Sequence, residues 1–103
     1  MAAQLTIDGF EKSVETDPVP PPGLGAALRA LWLDARGDWA AAHAAVQSEG
    51  GRDAAWVHAY LHRKEGDEAN AGYWYARAGR GAAAGALDRE RREIARQLLA
   101  AAE

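Results

Sequence analysis

The sequence predicts an all-α protein: two stacked helical hairpins, a C-terminal capping helix, and an extended proline-rich arm ahead of them. Three observations carry this. From Leu24 onward, apolar residues recur at spacings of three and four, the period of one helical face. Gly-Asp pairs at 37–38 and 66–67 punctuate that pattern at a separation of 29 residues. Before it, four prolines fall between Thr16 and Gly23. Proline lacks the amide proton and restricts the residue before it, so this stretch cannot be helical.

The arm covers residues 1–23 and the hairpin domain residues 24–103. Within the arm, Leu5, Ile7 and Phe10 are expected either to dock as a short extended segment or to hang as a loosely packed tail. The first helix is predicted at 24–36, with Leu24, Ala27, Leu28, Leu31, Trp32 and Ala35 forming one apolar stripe. It ends at Gly37. Asp38 then caps a second helix at 38–49, which carries Trp39, Ala42, His43 and Val46. The third helix, 53–65, turns Trp56, Val57, Tyr60 and Leu61 inward and stops at Gly66. Asp67 caps the fourth, 67–79, through Ala71, Trp74, Tyr75 and Ala78. After Gly79-Arg80-Gly81 a fifth helix at 84–102 repeats Leu87, Ile94, Ala95, Leu98, Leu99 and Ala102. The expected core is Leu28, Leu31, Val46, Trp56, Leu61, Ala71, Tyr75, Ile94 and Leu98.

Sliding the chain by 29 residues pairs Ala30 with Ala59, Ala40 with Ala69, Ala42 with Ala71 and Val46 with Tyr75. A fixed period of this size signals stacked helical hairpins. The segment from Gly66 to Ala78 resembles the second helix of a tetratricopeptide repeat. Ala71, Tyr75 and Ala78 stand where that family places its small, aromatic and small packing residues. Gly37 to His43 opens a second copy, and the likeness spans roughly residues 24–79. The period is shorter than that family's ~34 residues, Trp56 lies one position late, and the first copy ends on Glu49. The chain thus resembles a divergent, shortened two-repeat relative, in a small bacterial protein. The resemblance implies hairpins that present a groove to a protein or peptide.

Composition removes several classes. With 103 residues, 49% hydrophobic and 26% charged, the chain has material for one modest core. A formal net charge of −3 gives no overall basic field, so no nucleic acid is expected. The absence of cysteine excludes disulfides, thiolate metal sites and cysteine nucleophiles. No segment reads as a secretory signal or a membrane helix, and the expectation is a cytoplasmic protein without membrane contact. Ten of the twelve basic residues are arginine, which with abundant alanine and glycine suggests a high-GC bacterial gene.

The candidate site residues are His58, His62, Tyr73, Trp74 and Tyr75. His58 and His62, spaced i, i+4, project from one helix face and come close enough to share a ligand. The metalloprotease motif needs glutamate directly after the first histidine, and Ala59 stands there. His43 would have to arrive from another helix. Packed histidines with no metal between them are the expectation, near Trp74 or Tyr75. Successive residues step ~100° around a helix, so Tyr73, Trp74 and Tyr75 cannot share one face. Trp74 and Tyr75 are assigned to the core and Tyr73 to the surface. The mixed run Arg89 to Glu93 reads as a solvated helix face. There is no phosphate loop, and Ser13 and Ser48 sit in no nucleophile elbow.

The functional expectation is a noncatalytic protein- or peptide-binding module, not an enzyme and without a cofactor. A homodimer would extend its small surface. The alternative is a small-ligand- or metal-binding helical protein using His58 and His62, completed by His43, Asp34 or Glu65.

Overall fold

In the computed structural model, which describes residues 5–101, six helices follow one another: α1 (Ile7–Thr16), α2 (Ala26–Ala35), α3 (Trp39–Gln47), α4 (Arg52–Lys64), α5 (Glu68–Ala78) and α6 (Leu87–Ala101). Among the described residues there is no strand. Helices α2 to α6 match the five expected from the apolar spacing; α2, α3, α5 and α6 are each shorter by a few residues and α4 is displaced by one, while Ala102 lies outside the described residues.

The hairpin turns are built identically. Gly37 and Gly66 take φ of 91° and 90°, a left-handed conformation open to glycine at little cost. In the first turn, the Gly37 and Asp38 amides donate to the Asp34 and Leu33 carbonyls at 2.9 and 3.0 Å. In the second, Gly66 and Asp67 donate to Arg63 and His62 at 3.0 and 2.9 Å. Both are six-to-one helix endings that satisfy carbonyls otherwise left open. The following aspartate then accepts from the next helix, Asp38 from the Ala41 amide and Asp67 from the Asn70 amide. Every partner is displaced by the same 29 residues, so the repeat read from the sequence is a repeat of hydrogen bonds.

Each hairpin, α2 with α3 and α4 with α5, packs internally, and α4 is the central helix, touching α2, α3, α5 and α6. Its residues Ala54 to His62 are buried without interruption. All nine expected core residues are buried, joined by Trp32, Val57, Tyr60 and Leu99. A buried carboxylate ties the hairpins together. Asp34 on α2, 1% exposed, accepts from the Tyr60 hydroxyl at 2.8 Å and from Lys64 Nζ at 2.9 Å, both on α4. Burial first, and the Asp34 charge second, push the Tyr60 phenol above its ordinary pKa.

Two expectations are corrected. The segment around Ile7 and Phe10 is a helix, neither a short extended segment nor a loosely packed tail. Thr6 caps it by accepting from the Gly9 amide, and Ile7, Phe10 and Val14 then fall on one face. Phe10 is fully buried in the common core. Ser13 accepts from Trp32 Nε1 at 3.0 Å and donates to the Phe10 carbonyl at 2.7 Å. Residues 17–25 are nonhelical, as the prolines require, while residues 1–4 of the expected arm lie outside the described residues.

The second correction concerns the run from Arg89 to Glu93, which is not uniformly solvated. Arg91 makes a two-armed ion pair to Glu11 on α1 at 2.7 and 2.9 Å. These hydrogen bonds hold the Glu11 carboxyl below its ordinary pKa. Glu90 is buried, accepting from Arg63 at 2.8 Å and from the Tyr75 hydroxyl. One helix face meets α1 and the other meets the α4–α5 hairpin, so both carry charges that pair on contact.

Candidate functional site

The strongest concentration of chemistry lies where α3, α4 and α5 meet. Trp39 and His43 sit one turn apart on α3, His58 and His62 one turn apart on α4, and Trp74 on α5. The i, i+4 spacing stacks each pair along its helix. Trp39 and His43 are stacked, with ring centroids 4.9 Å apart and planes 8° from parallel. His58 and His62 stack at 4.8 Å. His58 is also stacked on the Trp74 indole, at 3.9 Å and 14°. The α3 rings meet the α4 rings edge-on: His43 lies 4.7 Å from His58 and 5.2 Å from His62.

Helix α3 therefore supplies the third histidine that the α4 pair lacks. His43 Nε2 and His58 Nε2 are 3.0 Å apart, a hydrogen bond in which one ring donates and the other accepts. His62 Nδ1 donates at 2.6 Å to Oε1 of Glu65, the residue that caps the C-terminus of α4. Trp39 Nε1 donates to the Leu61 carbonyl at 2.9 Å, fixing the indole that supports His43. His58 and His62 are buried and His43 is half-buried, so the cluster is reached from the α3 side. One polar atom is left over: Nδ1 of His58 is buried and has no hydrogen-bond partner.

Desolvation is the main influence on the charge of this group. Burial, with the neighbouring His43 and His62 charges, lowers the His58 pKa from 6.5 to about 4. Burial also lowers that of His43, more than the Glu65 charge raises it. Both rings are thus neutral at pH 7, the form that can offer a lone pair.

The aromatic residues divide as follows. Tyr75 is buried, its hydroxyl donating to Glu90 on α6. Trp74 is half-buried rather than core, one face covered by His58. Tyr73 is 54% exposed and meets Trp74 edge-on at 5.2 Å. Arg77 lies over both rings, 5.8 Å from Tyr73 and 5.4 Å from Trp74. Beside them, Arg52, Ala55, Trp74 and Arg77 line an open groove that continues along the end of α3 and the 48–51 loop. Of the sequence-predicted residues, His58, His62 and Trp74 form one cluster, Tyr73 lies at its margin, and Tyr75 belongs elsewhere.

Sequence reasoning missed Trp39 as a member and left His43 unplaced. Both carry the helical spacing that makes them neighbours, and the 29-residue offset places α3 in the first hairpin as α5 is in the second. No helix among the described residues is long and apolar enough to cross a membrane. No family model, curated protein or solved structure matches the chain.

Proposed function

We propose that the chain is a noncatalytic, tetratricopeptide-like helical module that binds a protein or peptide. The supporting observation is the Tyr73–Trp74–Arg77 surface of α5. Tyr73 is one of only two large hydrophobic side chains exposed among the described residues, and a cation and a second ring hold it in place. Exposed aromatics and arginine are the residue types that anchor interfaces, because they bury large area with little loss of freedom. The adjoining groove carries two cations, Arg52 and Arg77, against one carboxylate, Glu49, over an apolar floor of Ala55 and Trp74. It suits a segment that offers an aliphatic or aromatic side chain with a nearby carboxylate. On this reading the protein works in the bacterial cytoplasm, without nucleic acid or membrane contact, and a homodimer remains compatible with its small surface.

The test is selection from a displayed random-peptide library, followed by calorimetry with the selected peptides. The expected result is acidic-aromatic sequences whose affinity falls at least tenfold in Tyr73→Ala and Arg77→Glu, both exposed positions that leave folding intact. Failure to select any peptide, or equal affinity in the variants, would reject the proposal.

A further inference from the structure

We propose that His43, His58 and His62 form a binding site for one divalent first-row transition-metal ion, with zinc the first candidate. The site adjoins the Tyr73 surface through Trp74 but needs no docked partner. One nitrogen from each ring lies within 4.8 Å of the others. Three imidazoles on a tetrahedral ion, with bonds of ~2.05 Å, place their nitrogens about 3.3 Å apart. The His43–His58 separation of 3.0 Å is within a few tenths of an ångström of that value. Separations of up to 4.8 Å shorten to that value with side-chain adjustment on the order of 1.5 Å.

The surroundings have the features of a supported ligand set. Glu65 accepts from Nδ1 of His62, which fixes the tautomer and leaves Nε2 as the ligand atom. A carboxylate in this position also raises ligand basicity and offsets part of the cation's charge. Trp39 covers one face of His43 and Trp74 one face of His58, restricting both rings. The donors are all nitrogen, with no thiolate in the chain, which favours zinc, copper, nickel or cobalt over calcium or magnesium. Three protein ligands leave a fourth position for water on the His43 side, which is the open side of the cluster.

The alternative is that the three rings merely pack. Packing gives the cluster only one ring-to-ring hydrogen bond, between Nε2 of His43 and Nε2 of His58. Coordination through Nε2 makes His58 Nδ1 an unpaired donor. The metal-free ring leaves the same nitrogen unpaired in either tautomer, so the ion adds no new orphan. It does engage the lone pairs that the rings otherwise turn on one another.

The experiment uses the full chain without a histidine tag, stripped with chelator and desalted. Zinc titration is followed by calorimetry and by thermal midpoint. Cobalt titration is followed by visible absorption, which distinguishes a tetrahedral nitrogen site from surface carboxylate binding. One equivalent of zinc, a raised midpoint and tetrahedral cobalt bands are expected. His43→Ala removes a half-buried ring, so its fold is expected to survive, as helical circular dichroism would verify. That variant is expected to bind zinc at least about 100-fold more weakly, and Glu65→Gln about tenfold more weakly, as second-layer partners usually do. Absence of stoichiometric binding by the folded wild type would overturn the proposal. So would binding that is as tight in His43→Ala, or cobalt spectra that show only octahedral oxygen ligation.

Discussion

Acidification should destabilise this protein well before its carboxylates titrate. His58 has a pKa near 6.5 when unfolded and about 4 in the fold, because burial excludes its charge. The unfolded chain therefore takes up a proton on this ring as pH falls below 6.5, and the folded chain does not until about pH 4. Stability is full above pH 6.5, declines between 6.5 and 4, and is flat in this group below 4. The whole difference corresponds to roughly 3 kcal/mol, of which about 2 kcal/mol is lost by pH 5. The cluster opens to solvent beside His43, so screening reduces the observable loss at pH 5 to about 1 kcal/mol. His43, also lowered by burial, acts in the same direction. For a chain of this length, 1 kcal/mol is about 4–8 °C of melting temperature. The assay is urea unfolding of metal-free protein at pH 7, 6, 5.5 and 5, for the wild type and for His58→Gln. The glutamine variant is expected to lose less stability over that range. A wild type equally stable at pH 7 and 5, or a variant with the same decline, would refute the burial of a neutral imidazole.

Other perturbations follow from the packing. Phe10→Ala should cost roughly 3–5 kcal/mol in urea unfolding, because the ring is fully buried between α1 and the core. An extended, loosely docked arm would show almost no loss. Tyr60→Phe should cost about 1–3 kcal/mol by removing one of two donors to the buried Asp34; a neutral result would mean that water or Lys64 alone satisfies the carboxylate. Gly37→Ala and Gly66→Ala should each cost about 1–2 kcal/mol and agree with one another. The two sites share φ, and an added Cβ meets nothing, so the penalty is purely conformational. A large difference between them in thermal unfolding would show that the turns are not equivalent. Below about pH 4.5 the Glu11–Arg91 pair weakens too, because a carboxyl with a lowered pKa stabilises only above its own titration. Glu11→Gln should therefore flatten the acid limb of the stability profile below that pH while leaving the limb above it unchanged.

Much of the fold was legible because helices α2 to α5 advertise themselves twice, in apolar spacing and in Gly-Asp turns, and α6 through its spacing. Local rules set both signals, so a single chain reveals them. Helix α1 was misread for an equally local reason. Ile7, Phe10 and Val14 carry helical spacing, and Thr6 precedes them as a cap, but Gly9 and the prolines beyond Thr16 weaken the pattern. Its helicity is secured by burial of Phe10 and the Ser13–Trp32 bond, which no window of neighbouring residues contains. The histidine site shows the same division. The His58–His62 pair is visible as spacing on one helix. His43 becomes their neighbour only when α3 and α4 pack, and the Glu11–Arg91 pair joins positions 80 residues apart. Charge pairing at that distance has no period to read, which is why Glu90 and Arg91 looked like solvent-facing residues.

The clasp between Glu11 on α1 and Arg91 on α6 bears on how the molecule comes apart. Arrays of stacked hairpins normally unzip from their ends, one unit after another, because each unit touches only its neighbours. Here the first and last helices are held to each other, and α4 contacts both hairpins and α6. Neither end can fray without breaking a contact that closes the whole chain. Amide exchange in α1 and α6 should consequently approach the slow rate of α4, and heating should give one transition whose calorimetric and van't Hoff enthalpies coincide. Glu11→Gln would open the ring, and its signature would be faster exchange confined to the two terminal helices.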